Sequence, residues 1–526
     1  MTAAAALRAS TTLASAPGKV LVVGGYLVLD RAHRGLVVGT DACLYTAVQS
    51  QHLGPASEVH ALGADDVPIV VRSPQFESAW WRYAFNTATN ALTQHASASH
   101  DQNMFVQVVL ETTLALVNDR TPGGLQARLS EAAAAGAPGQ SVGLAIVLAA
   151  DNDFYSQRAT LDRLGLGRSS EALRRIPARA ATGTTLGSVH KTGLGSSAAM
   201  VTSLVAAVLA HFGVVDKDAL RADGQGRRTA STEDVQLIHN VAQYAHCVAQ
   251  GKVGSGFDVS AAVYGSHVYR RFSPAVLAAA MAKGGGGAAA LADATSPRNP
   301  GWDGEVSAVA IPPRLVLRLA DVDAGSSTPG MVKRVLQWQA ANPEPAARLW
   351  ASLDAANSRI QALWSSLVEA HQADSDDYDR AVDWCAERPS AEWRAGADCA
   401  ASTTRALLAD LVDGMHRVRQ LQRGLGEHAG VPIEPPEQTR LLDACMAVPG
   451  VCMAAVPGAG GYDAIFCVVL GQGASDAVER LWSGWAEMSV GPLLARQASG
   501  GVCLHGPDLY PDLVAGLVLP PPRPSV

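Results

Sequence analysis

The spacing of apolar positions changes repeatedly along this chain, and each change marks an element. From Ala16 to Asp30 the runs KVLVV and YLVL flank Gly24-Gly25, which predicts strand, turn, strand. Leu36 to Ser50 predicts another strand pair, and Ala79 to Gln94 a helix. Gly123 to Pro138, rich in Ala and Gly, predicts a short helix with loops, and the unbroken apolar run Val142 to Ala150 a buried strand. In 188-SVHKTGLGSSAAMVTSLVAAVLAHF-212, apolar residues fill nearly every helical spacing from Ala198 to Phe212, with Ser196 or Ser197 as a natural N-cap.

The polar stretch 222-ADGQGRRTAST-232 reads as an exposed connection, Glu233 to Gln250 as a helix, and Val253 to Ser273 as loop, helix and strand. The clearest break is 283-KGGGGAAALADATSPRNPGWDG-304, either a linker between domains or an insertion. Beyond it, Arg314 to Val322 predicts a strand, Met331 to Trp393 mostly helix, and Thr403 to Gly426 another helix. The segment 449-PGVCMAAVPGAGGYDAIFCVVLG-471 predicts strand, glycine turn, strand. Irregular alternation without an internal repeat predicts an α+β chain in two domains, 1–305 and 306–526.

Composition narrows the function. At 526 residues the chain is too long for one core. A net charge of −7 with no polybasic block excludes nucleic acid and anionic membrane as partners, and any phosphate site must concentrate its cations locally. The eight cysteines (Cys43, Cys247, Cys385, Cys399, Cys445, Cys452, Cys467 and Cys503) form no CxxC pair and no zinc spacing, so they read as free thiols in a reducing compartment. Neither end carries a recognisable signal, no window spans a membrane, and the expected location is the cytoplasm.

Three glycine turns carry the candidate chemistry: Pro17-Gly18-Lys19, Gly193 to Ser197, and Gly458 to Gly461. Glycine lets backbone approach a ligand closely, and a helix N-terminus offers free N–H groups and a partial positive charge. Gly193-Leu194-Gly195-Ser196-Ser197 before a helix is therefore either a phosphate cradle or an ordinary turn.

In order and spacing the three turns resemble the motifs of the GHMP kinases. The long stretches 15-SAPGKVLVVGGYLVLD-30, 151-DNDFYSQ-157, 191-KTGLGSSAA-199, 249-AQGKVGSGFDVSAAVYGSHVYRRFSP-274, 321-DVDAGSSTPGMVKRVLQW-338, 431-VPIEPPEQTRLLDA-444 and 456-VPGAGGYDAIF-466 are most similar to phosphomevalonate kinases of the fungal and plant type. The resemblance covers roughly residues 15 to 515. It implies a ribosomal protein S5 domain 2-like N-terminal domain and a ferredoxin-like C-terminal domain. It also implies transfer of the γ-phosphoryl of ATP to (R)-5-phosphomevalonate, by a monomer or homodimer.

The site residues follow from the same resemblance. Lys191, Gly193, Leu194, Gly195, Ser196, Ser197 and Ala198 would hold ATP, with Ser197 also on Mg²⁺. Lys19 would sit near the transferred phosphoryl, where a lone lysine of this kind is otherwise an exposed charge, and Asp258 would be the catalytic aspartate, its alternative being a helix cap. Ser255, Lys252, Ser326, Thr328, Gly460 and Gly461, with Lys19, would meet the substrate. In mevalonate kinases a glutamate on the preceding helix binds Mg²⁺. Here 241-VAQYAHCVAQG-251 offers His246 and no carboxylate, so Ser197 or Ser196, water and ATP would hold the ion, with His246 packed in the core.

The acceptor chemistry adds one requirement. A phosphate monoester has a second pKa of about 6, so its oxygen is already largely ionised at neutral pH. Two unit charges about 4 Å apart repel by about 4 kcal/mol at an effective dielectric near 20, so cations must converge. The candidates are Lys19, Lys252, Arg270, Arg271, Lys333, Arg334 and Arg419. Two alternatives remain: another small-molecule kinase of the superfamily such as mevalonate kinase, and a non-catalytic sensor on the same fold. A sensor has no need of the Lys19–Asp258 pair.

Overall fold

The computed structural model describes residues 11–53, 63–95, 102–132, 142–221, 231–282, 287–322, 328–395 and 402–518, without the side chains of 130–132 and 328–329. Among them, the chain forms β1 (Thr11–Val23), β2 (Arg34–His52), β3 (Asp66–Arg72), β4 (Trp80–Asn86), β5 (Ala91–His95), β6 (Val142–Ala150), β7 (His267–Arg270) and β8 (Glu305–Ala308). The second half adds β9 (Leu315–Val322), β10 (Val451–Ala455), β11 (Ala464–Leu470), β12 (Val490–Pro492), β13 (Gln497–Ala498) and β14 (Cys503–His505).

The first sheet runs β14-β1-β2-β6-β3-β4-β5, with β13 and β7 also on β2 and β8 on β7. Its pairings are antiparallel except β3 with β6. β2 is one strand of 19 residues, where the sequence predicted a pair. It holds β1 along its length, β7 on its first half and β6 on its second, so partners support it throughout. The expected strand YLVL is instead a tight turn. Gly24 and Tyr26 have φ of 111° and 66°, so the chain reverses into a short 3₁₀ turn, Leu27–Leu29, that buries Leu27 and Val28.

The helix expected over Ala79–Gln94 is a β4–β5 hairpin. Trp81, Tyr83 and Phe85 alternate into the core at 2%, 0% and 0% exposure, and Asn90 at φ 57° turns the chain. Period-two aromatic alternation outweighs the helix-forming alanines.

Helices Met104–Arg120, Ser196–His211 and Thr232–Gln250 pack together over this sheet. The middle one buries Val201, Leu204, Val205, Val208 and Leu209 completely, worth about 1.5–3 kcal/mol each. Within 283–304, residues 287–295 form a helix that packs on Thr232–Gln250, and β8 follows it. The segment 287–308 therefore belongs to the first sheet's layer.

The second sheet is antiparallel, β10-β11-β9-β12, backed by helices Pro343–Ala373, Ser375–Ala386, Thr403–Ala429, Pro436–Met446 and Gly471–Ser483. The boundary expected between 305 and 306 cuts β8, and β13 and β14 carry residues 497–505 back to the first sheet. The two layers are joined by several contacts. One is Asp153, whose carboxylate accepts the N–H groups of Leu494 and Ala495. All seven described cysteines are free, five of them buried.

Candidate active site

The cleft is built from four short segments that the fold brings together. The first is the Pro17-Gly18-Lys19 turn. The β1–β2 register shifts between Pro17 and Lys19, and the bulge lets the Lys19 N–H leave the sheet for the Leu194 carbonyl, 3.0 Å away. Gly18 is required there, because a Cβ would lie 2.8 Å from Thr40 Oγ1 and 3.2 Å from the Leu194 oxygen. The Lys19 ammonium donates to the Gly193 carbonyl at 2.7 Å and lies 5.4 Å from the Phe257 ring centroid.

The second segment is the Gly193–Ser197 loop. Gly193 and Gly195 have φ of 80° and 83°. Gly195, left-handed, is the N-cap itself; Ser196 and Ser197 are the first helical residues and cap nothing, which corrects the sequence expectation. The serine hydroxyls are therefore released from capping. Ala199 is the first residue to bond back, to the Gly195 carbonyl, so the N–H groups of Ser196, Ser197 and Ala198 lie ahead of the helical ladder. Ser196 lies beside the Tyr155 hydroxyl.

The third segment carries Asp258 in the first turn of helix Phe257–Tyr264. Its cap is Gly256 at φ 83°, where a Cβ would meet Gln243, Phe272 and Tyr269 at 2.8 Å. Asp258 is not the N-cap, but its Oδ1 accepts the free first-turn N–H of Val259 at 3.0 Å, which leaves Oδ2 for the cleft. Its Oδ2 lies 3.9 Å from His246 Nε2, and the same nitrogen lies 3.2 Å from Ser197 Oγ. His246 is buried, as expected, but at this junction rather than in a purely apolar core. Burial pushes the Lys19 pKa below its ordinary value, and the negative charge of Asp258 opposes that shift.

The fourth segment, Gly458–Gly461, closes the cleft from the second sheet. Gly458 donates its N–H to the Leu21 carbonyl at 3.3 Å, and the Tyr26 hydroxyl donates to the Ala459 carbonyl at 2.7 Å. The Gly461 N–H is spent on Ile433 O at 2.8 Å, away from the opening. The cleft has a volume of about 180 Å³, and its walls include Lys19, Gly193, Ser255 and Phe257 on one side and Gly458, Gly460 and Asp463 on the other.

Lys191, Lys252 and Lys333 are exposed and stand outside these walls. The N–H of Lys252 closes the preceding helix on the Cys247 carbonyl. Ser326 lies outside the described residues, and Thr328 begins helix Thr328–Ala341 with its side chain outside them. Arg419 is not a phosphate ligand: it is buried against Glu434 at 2.7 Å and Asp443 at 2.8 Å. Arg270 pairs with Glu305, Arg334 donates to the Gly430 carbonyl, and Arg271 is spent on the carbonyls of Leu29, Val253 and Gly254. Phe257 and Val332, which lie within the quoted stretches but were given no role there, line the cleft, and Tyr155 lies beside Ser196.

Comparison with known proteins agrees with this arrangement. Residues 187–266 match the GHMP kinases N terminal domain, and residues 405–485 the GHMP kinases C terminal domain. The peroxisomal phosphomevalonate kinase of Arabidopsis thaliana is 38% identical over 94% of this chain and 96% of its own length. The phosphomevalonate kinase of Gibberella zeae is 38% identical over 87% and 88%. Among solved structures, the fold is similar to a Lin0012 protein from Listeria innocua, with a TM-score of 0.58 and 14% identity over 94% of this chain and 99% of that one. It is also similar to Streptococcus pneumoniae phosphomevalonate kinase, solved with phosphomevalonate and AMPPNP, with a TM-score of 0.50 and 16% identity over 92% and 99%. With two curated relatives matched over most of their length and both domain models in place, the chain belongs to the phosphomevalonate kinase family of the GHMP kinases.

Proposed function

We propose that the chain transfers the γ-phosphoryl of ATP to the phosphate of (R)-5-phosphomevalonate, yielding (R)-5-diphosphomevalonate and ADP in the mevalonate route to isoprenoids. The observation that carries the assignment of roles is the convergence of Lys19, the Gly193–Ser197 loop and the Gly458–Gly461 turn on one cleft, with Asp258 Oδ2 3.9 Å from the His246 nitrogen that meets Ser197 of that loop.

Residues Gly193 to Ala198 cradle the ATP phosphates with N–H groups that no helical carbonyl uses, and the helix dipole favours the anion. Lys191 adds charge at the loop's exposed edge. Lys19, already hydrogen-bonded to this loop, faces the point where the two phosphates approach, and it stabilises charge there. Its ammonium is costly to bury alone, so the arrival of polyanions returns its pKa toward the ordinary range. Ser255 and Gly460 line the acceptor side; the resemblance adds Gly461, Ser326 and Thr328 as substrate contacts, with Lys252 and Lys333 as the cations available to its phosphate.

Mg²⁺ fits this donor set. Among the described residues no group of three or more His, Cys, Asp or Glu side chains forms a metal cage. Ser197 Oγ and Asp258 Oδ2 both lie close to His246 Nε2, and two protein oxygens with phosphates and water suit a hard ion that keeps its hydration. When bound, the ion neutralises charge between the β- and γ-phosphates. Asp258 orients Lys19 and this oxygen set and is not required to take a proton from an ionised acceptor.

The same proposal places the enzyme in the cytoplasm as a monomer or homodimer. A tagged copy imaged in cells tests the first point and sedimentation the second. The assay that tests the function is ADP release with phosphomevalonate and mevalonate in parallel. Turnover confined to phosphomevalonate is expected. Preference for mevalonate overturns the substrate, and ligand binding without turnover of either makes the chain a sensor.

A further inference from the structure

Helix Thr232–Gln250 turns His246 inward, 3% exposed, with its ring 5.4 Å from that of Phe105. Its Nε2 is where side chains from three helices meet. Ser197 Oγ approaches to 3.2 Å from the start of helix Ser196–His211, and Asp258 Oδ2 to 3.9 Å from helix Phe257–Tyr264. Gln250 Nε2, one turn along the same helix, approaches to 3.2 Å. The ring thus bonds to the phosphate loop and stands beside the carboxylate of the acidic turn without bonding to it.

The hydrogen-bond inventory fixes what this junction does. A neutral imidazole has one donor nitrogen and one acceptor, and an amide nitrogen is only a donor. With the Gln250 amide nitrogen facing it, Nε2 is the acceptor and the ring proton is on Nδ1; the single Nε2 lone pair is shared between the Gln250 N–H and the Ser197 hydroxyl. A hydroxyl has one proton and two lone pairs. Facing an acceptor, Ser197 turns its proton toward His246, and its lone pairs are left for whatever binds at the helix start. In the other tautomer Ser197 would accept from the ring and offer its proton instead. Lone pairs suit a cation; a proton suits a phosphate oxygen.

We propose that His246, with its tautomer set by Gln250, is a positioning residue that makes the Ser197 hydroxyl an oxygen ligand for a hard divalent cation carried by a nucleoside triphosphate. Asp258 Oδ2 and Ser197 Oγ both lie near the one nitrogen, His246 Nε2, at 3.9 Å and 3.2 Å. This rests on the assignment of the Gly193–Ser197 loop to the nucleotide. The histidine touches neither nucleotide nor substrate; it acts through Ser197.

The chemistry distinguishes substitutions. The amide oxygen of glutamine reaches about as far as Nε2 and can accept the Ser197 proton. Asparagine ends nearer Nδ1 and falls short, and leucine keeps bulk without an acceptor. Titration calorimetry with a non-hydrolysable ATP analogue, with and without Mg²⁺, reads the effect without turnover. Outer-shell partners of metal ligands are typically worth about 10–100-fold in metal affinity. The gain in nucleotide affinity on adding Mg²⁺ should therefore fall by about that factor in His246→Leu and His246→Asn and be largely kept in His246→Gln. Affinity for the metal-free nucleotide should be unchanged in all of them. A full Mg²⁺-dependent gain in His246→Leu, or an equal loss with and without the metal, overturns the proposal and returns His246 to packing. If His246→Leu does not fold, as thermal unfolding reports, the Gln and Asn variants decide in the same way. If the unsubstituted protein binds no nucleotide at all, the assignment of the loop falls, and this inference falls with it.

Discussion

Gly195 is where backbone conformation and the position of Lys19 are coupled, and replacing it by alanine separates two consequences. The residue is left-handed, at φ 83° and ψ 43°, so any side chain costs about 1–2 kcal/mol there. A Cβ would also stand 3.2 Å from Lys19 Cε and 3.4 Å from its Cγ, a contact that must give by a few tenths of an ångström. Lys19 can yield only by moving its ammonium away from the Gly193 carbonyl, 2.7 Å off. Gly213, just past the other end of the same helix, supplies the control: its φ is 73° and nothing lies within 4 Å of an added Cβ. In urea unfolding both Gly195→Ala and Gly213→Ala should lose about 1–2 kcal/mol. In the ADP-release assay Gly213→Ala should keep its kcat. Gly195→Ala should lose about tenfold or more, since a misplacement near 1 Å at a reacting centre can cost about 10²-fold. Equal losses of kcat in the two variants, or full activity in Gly195→Ala, would refute the coupling between this glycine and Lys19.

Lys19→Met should lower kcat by about 10²–10³, and Asp258→Asn by less, because the acceptor oxygen is already ionised. The unsubstituted protein should gain stability as pH rises through the lowered Lys19 pKa, because there the unfolded chain holds the proton longer, and denaturant titration at several alkaline pH values should find this gain missing in Lys19→Met. Burial raises the pKa of Asp153 to about 6, so its contribution to stability is full below about 4, where the unfolded carboxyl titrates, and is lost as pH rises through 6. Asp153→Asn should keep both bonds to Leu494 and Ala495 and remove this acid dependence, whereas Asp153→Ala strands two N–H groups and should cost about 1–3 kcal/mol in denaturant unfolding at pH 7. Lys252→Ala and Lys333→Ala should raise the KM for phosphomevalonate more than that for ATP, and equal shifts in steady-state assays would put these lysines on the wrong ligand.

Much of this arrangement was legible in the chain because glycine positions report backbone demands directly. Gly18, Gly195 and Gly460 each occupy a place where a Cβ would strike a neighbour or where φ is positive, and the motif spacing found all three. Burial on both faces made β6 readable as an unbroken apolar run. Two of the misreadings share a cause, which is that the deciding partner is distant in sequence. Trp81, Tyr83 and Phe85 alternate against a core built partly by residues 104–117, which no local window contains. Tyr26 turns the chain because its hydroxyl is claimed by Ala459, 433 residues away. Ser196 and Ser197 looked like caps, since serine favours that role, but Gly195 fills it and frees them for other partners. His246 was noticed only as standing where mevalonate kinases carry a glutamate and was expected in the core; its nearness to Ser197 and Asp258 comes from two helices that pack beside it.

The arginines nominated for the substrate's phosphate have a common fate that the guanidinium's chemistry explains. Arg419 holds the buried Glu434, the residue after Ile433, and the Ile433 carbonyl takes the Gly461 N–H and leaves no room for a Cβ on Gly460, 2.2 Å away. It therefore shapes the third glycine turn from behind. Arg271 spreads its donors over Leu29, Val253 and Gly254, tying the turn after β1 to the loop that leads into Asp258. A planar fork with five fixed donors suits this kind of bracing, because it satisfies several carbonyls at once and loses little freedom doing so. A lysine is a point charge on a flexible stem and can follow a phosphoryl group as it moves. That division leaves Lys19 within the cleft and Lys191, Lys252 and Lys333 exposed around it to meet two polyanions, with the arginines fixing the walls against which they meet.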